Sequence, residues 1–144
     1  MEPIPSFDSW QATAHPALCG DPLWKTTAYR LALYAVDISW EDTRILDRVQ
    51  TTRSVAGQLY RSLGSISANI AEAYSRSSGV DRARILEYGL GSTRESVAWY
   101  FAARRVLGND AFEWRHGVLS QIRRLLLATI PIERTQGRLR RYDR

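Results

Sequence analysis

Ser65-Ile66-Ser67-Ala68-Asn69-Ile70-Ala71-Glu72-Ala73-Tyr74 is the stretch that decides the fold. Its apolar residues recur on a helical period, and small residues fill most of the positions between them. Asn69 and Glu72 break the pattern. A polar group among small apolar ones is expensive unless it is paired, so these two point to a specific helix–helix fit or to a site. The stripe extends N-terminally through Val55, Leu59 and Leu63, giving a helix that ends near Arg76. Gly57 and Gly64 each cost this helix about 1 kcal/mol relative to Ala, which close packing of a neighbour is expected to offset.

Similar patterns stand on both sides. Asp21-Pro22 reads as a helix start, with Asp as N-cap and Pro in the first turn. Trp24, Ala28, Leu31, Ala35 and Ile38 follow at 4-3-4-3 spacing and predict a helix to about Trp40. Residues 41–52 are charged and mixed, either a linker or a frayed start of the next helix. Ser78 is an N-cap candidate with Asp81 three residues on. Leu86, Leu90, Thr93, Val97 and Tyr100 then form a third stripe, closed by Gly108 at a C-terminal glycine position. Asn109 or Asp110 caps a fourth helix with core residues Phe112, Leu119, Ile122, Leu126 and Ile130, which Pro131 is expected to stop. The expected fold is all-α: an up-down-up-down antiparallel four-helix bundle over residues 22–133. An N-terminal arm (1–21), pinned by Trp10, precedes it, and an Arg-rich, fraying tail (134–144) follows.

Composition narrows the function. The 144-residue chain has a net charge of +5. Residues 1–22 carry −3 and residues 134–144 carry +4. A basic body with a basic tail suits a polyanion. The candidate nucleic-acid contacts are Arg104, Arg105, Arg115, Arg123, Arg124, Arg138, Arg140 and Arg141. Trp99, Tyr100, Phe101 and Trp114 are able to stack bases, although core packing or a subunit interface is the commoner use of such residues. Trp99 lies off the core stripe, facing a neighbouring subunit in this reading.

No apolar run approaches a membrane span, the N-terminus lacks the features of a signal peptide, and the expected location is the cytoplasm. One cysteine, Cys19, excludes an internal disulfide. A bundle di-metal site takes a Glu-x-x-His pair from each of two helices, and with only His15 and His116 in the chain, of which His116 alone has a Glu three residues before it, neither a metal nor a cofactor is expected. Gly89-Leu90-Gly91-Ser92-Thr93 lacks the lysine of a phosphate loop and lies inside a helical period. Glu72 and Glu95 remain as a possible acid/base pair. The reading preferred here is a polar network of Asn69, Glu72, Arg76, Ser92 and Glu95 that sets helix register, and the protein is expected not to be an enzyme.

Gln58-Leu59-Tyr60-Arg61, Ser65 through Arg76, and Glu87-Tyr88-Gly89-Leu90-Gly91-Ser92-Thr93-Arg94-Glu95 resemble the four-helix-bundle proteins encoded in intervening sequences of bacterial 23S rRNA genes. The resemblance covers about residues 24–133. Ala73 stands where that family usually has Gly, and Ser67 where it often has Pro or Gly. The resemblance implies a homo-oligomer, since relatives form pentameric rings, and no established enzymatic activity. A related branch, the accessory proteins of diversity-generating retroelements, binds nucleic acid and a reverse transcriptase. It implies RNA or DNA as partner here, or alternatively a role as such an accessory subunit.

Overall fold

A computed structural model describes residues 3–142, with side chains described for 3–136. Six α-helices are present and no strand among the described residues: α1 (Phe7–Ala12), α2 (Pro16–Cys19), α3 (Thr27–Asp47), α4 (Arg53–Tyr74), α5 (Gly79–Leu107) and α6 (Asn109–Tyr142). The four long helices pack each on the next, and α6 closes back onto α3. Their facing stripes make one core, in which Leu59, Leu63, Ile66, Leu119, Ile122 and Leu126 are almost fully buried.

The neighbours α4 and α5 run in opposite directions. The Ser62 and Ser96 hydroxyls hydrogen-bond at 2.8 Å, and a Cβ added at Gly89 would lie 3.5 Å from Asn69 Cβ, so later residues of α4 meet earlier ones of α5. Phe101–Phe112 at one end and Arg82–Glu133 at the other show the same for α5 and α6. Ser78 caps α5, its hydroxyl accepting the Asp81 N–H. Gly108 takes φ 95°, a left-handed conformation that a side chain would strain, and the chain turns there into α6.

Asp21 does cap a Pro-led turn, but that turn is a short 3-10 segment, Pro22–Lys25. Extended Thr26 separates it from α3, which begins at Thr27. At its other end α3 outruns the expected stop at Trp40 by seven residues, reaching Asp47. Residues 41–47 are thus neither linker nor the next helix. The 4-3-4-3 stripe continues through Asp42, a buried carboxylate at a core position, followed by buried Leu46. The Thr52 hydroxyl donates to the Leu46 carbonyl and closes the turn into α4.

Pro131 does not stop α6, which crosses the expected boundary at 133. Proline removes the N–H that would bond the Leu127 carbonyl. Leu127 and Pro131 are both exposed, so that carbonyl is on the wet side of the helix. Beyond the proline, Glu133 accepts from Arg82 at 2.6 Å and Arg134 pairs with Glu87, tying this part of α6 to α5. Arg82 also donates to the carbonyls of Arg76 and Ser77 in the α4–α5 turn, so one guanidinium joins three elements.

The arm is pinned as expected. Trp10 Nε1–H donates to Asp37 at 2.7 Å, and the Tyr34 hydroxyl donates to the Pro5 carbonyl at 2.7 Å. Phe7, Trp10, Trp24, Tyr34 and Trp114 form a chain of ring contacts joining the arm to α3 and α6.

Two expectations about α4 are corrected. Tyr74, at the last position of the stripe, is exposed because the helix ends with it. Gly57 and Gly64 do not admit a neighbouring helix: a Cβ at either would meet nothing within 4 Å. Gly57→Ala is therefore expected to raise stability by about 0.5–1 kcal/mol, through helix propensity alone. A denaturant midpoint that stays put or falls would show that something covers this face in solution.

Candidate nucleic-acid interface

The five expected polar residues do not form one network. Asn69 donates to the Ser65 carbonyl of its own helix. Glu72 and Arg76 form an exposed i,i+4 ion pair. Glu95 accepts from Trp99 Nε1, and the Ser92 carbonyl accepts from the Ser96 hydroxyl. Each pairs along its own helix, where a partner one turn away is always at hand. In the α4–α5 register Glu72 lies level with residue 86, which leaves Glu95 about 13 Å along the axis, too far for an acid/base pair. Trp99 is half-buried against the core rather than turned outward.

A buried charged link between helices lies elsewhere. Asp42 of α3 accepts two hydrogen bonds from Arg115 of α6, at 2.8 and 2.9 Å, and one from the Tyr100 hydroxyl of α5 at 2.9 Å. Asp42 is 3% exposed and Arg115 5%. Burial pushes the Arg115 guanidinium down, and its hydrogen bonds and charge contact with Asp42 more than offset this, leaving it above its ordinary value. Arg115 is thus removed from the candidate nucleic-acid contacts: a buried side chain held on both forks cannot reach a phosphate. A charged residue within an α6 stripe was the available signal, but its partner lies 73 residues away in sequence.

Burial, with the Asp42 carboxylate adding to it, raises the Tyr100 phenol well above its usual value. Burial also raises Tyr34, against a smaller lowering by the Arg115 charge. An acid whose folded pKa is raised keeps its proton when the unfolded chain has lost it. Stability from these two groups is complete below pH 10 and is lost as pH rises above it. The expected loss approaches about 1.4 kcal/mol per pH unit for Tyr100, which is raised furthest, with Tyr34 adding in the same direction. Denaturant midpoints at stepped alkaline pH test this, and Tyr100→Phe is expected to flatten the slope.

The remaining basic candidates separate by position. Arg105 and Arg124 are exposed, while Arg104 and Arg123 are half-buried. Arg104 stacks its guanidinium 3.8 Å from the Phe101 ring centroid and donates to the Phe101 carbonyl. Arg124 donates to the Ser120 carbonyl. Arg138, Arg140 and Arg141 lie outside the residues whose side chains are described. One cation was missed: exposed Arg94, one helical face with Phe101 and Arg105 on α5. The i, i+7, i+11 spacing of 94, 101 and 105 was the signal that would have found it. Among the described residues, no group of three or more His, Cys, Asp and Glu side chains is placed to hold a metal ion.

Comparison with known proteins adds the lineage. The 23S rRNA-intervening sequence protein family matches residues 28–127. The chain belongs to this family. A crystal structure from Bacteroides thetaiotaomicron VPI-5482, of a protein with unknown function from the S23 ribosomal protein family, shares the fold. It is 24% identical, with a TM-score of 0.67, over 72% of this chain and 98% of that one. No curated protein matches the chain significantly. The family match leaves out α1, α2 and the part of α6 that carries Pro131, Glu133 and Arg134. In this 23S rRNA-intervening sequence protein, the arm and the end of α6 lie outside the residues that match the family. None of its described helices is long and apolar enough to cross a membrane.

Proposed function

We propose that the protein is a non-enzymatic, oligomeric four-helix bundle of up-down-up-down order, located in the cytoplasm, that binds structured RNA or DNA through a basic surface. The observation that carries this is the exposed face of α5 and α6. There Arg94, Arg105 and Arg123 have no ion-pair partner among the described residues, whereas Arg44, Arg76, Arg82 and Arg84 are each paired with a carboxylate. Arginines without a carboxylate partner, spread along one side of the bundle, are available to the phosphates of a polyanion. Family membership is in keeping with an RNA-linked role. Fluorescence anisotropy of a labelled RNA hairpin across a salt series tests the reading. Affinity is expected to fall steeply with salt, and Arg94→Gln/Arg105→Gln/Arg123→Gln to flatten the slope. No binding at low salt would remove it.

Self-association draws on a different surface. Trp40 is 55% exposed and packs edge-to-face on exposed Tyr60, on the α3–α4 side. Large exposed aromatics suit a subunit interface. The family resemblance points to a pentameric ring. A mass measurement by light scattering decides, with a monomer counting against the ring. The same aromatic pair also serves the alternative role, an accessory subunit docking a reverse transcriptase. A polymerase gene next to this one would favour that role.

A further inference from the structure

On α5, Arg94, Phe101 and Arg105 lie within about 40° of one another around the helix, and all three are exposed. On α6, Phe112, His116 and Arg123 share an arc of the same width. The two arcs face each other: Phe101 meets Phe112 edge-to-face at 5.9 Å, and Phe112 stacks on His116 at 5.8 Å. Phe101 is 52% exposed although it lies in the middle of a ring–ring–cation cluster, with the Arg104 guanidinium 3.8 Å from its centroid. Arg104 and Arg105 also line a crevice with Gly108 and Asn109 at the α5–α6 turn.

The acidic residues of this end point elsewhere. Asp110 is turned about 160° and Glu113 about 100° from Phe112 around α6. At the far end of the face, Glu87 is already paired with Arg134. Between Arg94 and Arg105, about 16 Å along α5, the face therefore presents cations around one exposed ring, Phe101, and no carboxylate on the same arc.

A double helix keeps its bases stacked inside and presents phosphates, which need only the arginines. An exposed ring flanked by guanidinium groups suits something more: an unstacked base with a phosphate on either side. We infer that the α5–α6 face is a track for single-stranded nucleic acid, in which a base stacks on the Phe101–Arg104 pair and phosphates lie on Arg94, Arg105 and Arg123. This rests on the nucleic-acid reading above and narrows it to unpaired nucleotides, such as the loop of a structured RNA. Ring faces are common to all bases, so stacking confers little sequence preference, and the 2′-hydroxyl is not required by any feature of the face.

The test uses the full chain, with labelled oligo-dT, oligo-U and a blunt DNA duplex of equal phosphate count, by anisotropy at low salt. Phe101→Ala is expected to weaken both single strands about tenfold and the duplex by less than twofold, with Phe101→Tyr restoring the wild-type affinity. Arg105→Gln is expected to lower the salt slope for the single strands by about 0.7. Circular dichroism melting confirms that Phe101→Ala folds, as its exposure predicts. If wild-type protein binds in a salt-dependent way but Phe101→Ala binds single strands equally well, the stacking track is overturned and the broader reading stands. If wild-type protein binds none of the three, both fall.

Discussion

Asp42→Ala is expected to destabilise the protein by about 3–5 kcal/mol, a large part of the roughly 5–15 kcal/mol available to a domain. The substitution leaves the Arg115 guanidinium 5% exposed with two donors facing a void, and it deprives the Tyr100 hydroxyl of its acceptor. Arg115 cannot escape by losing its proton, since arginine stays charged in proteins. The cost is thus that of an uncompensated buried charge rather than of a lost contact. Removing both partners is expected to behave differently. Asp42→Leu/Arg115→Met replaces the pair with apolar groups and should recover most of the loss, because desolvating the two charges consumed much of their mutual attraction. Urea midpoints of the single and double variants measure both. A loss below about 1 kcal/mol for the single variant would show that the site opens to water in solution.

Within the segment from Ser65 to Tyr74, Ile66→Ala should cost about 2–5 kcal/mol and Glu72→Ala less than about 0.5 kcal/mol. Ile66 is fully buried between α4 and its neighbours, and truncation leaves a cavity that helices held by several contacts cannot collapse to fill. Glu72 holds only Arg76, on a solvated face where water competes for both ends. Chemical denaturation of the two variants provides the comparison. The contrast identifies the segment as a packing element whose charged residue, Glu72, points outward. A Glu72→Ala loss approaching that of Ile66→Ala would mean that Glu72 meets a partner supplied by another copy or a ligand.

Helix α3 shows why a pattern can end before the helix does. Its stripe was read to Ile38, and the next core position is Asp42. A carboxylate there looks like the end of an apolar face, because its acceptability depends on Arg115 and Tyr100, supplied by two other helices. Pro131 is the converse. Its local penalty is real, yet ion pairs from α5 to Glu133 and Arg134 hold the chain helical past it. The candidate arginines divide on the same ground. Arg115 and Arg123 look alike in sequence, and a partner on α3 buries one of them.

The sequence by itself determined the helical class, the order of the four long helices, the caps at Ser78 and Gly108, the anchoring of the arm by Trp10 and the family. These follow from local periodicity, from backbone preferences of single residues and from motif spelling, all of which act over a few turns of chain. Only the tertiary structure decided where α3 and α6 end, which arginine is buried, and that Asn69, Glu72, Ser92 and Glu95 bond along their own helices. It also brought Phe101, Phe112, Arg94, Arg105 and Arg123 to one face. The energy of a charge or an exposed ring is set by what another helix places beside it, and that neighbour is specified by the packing of the whole core.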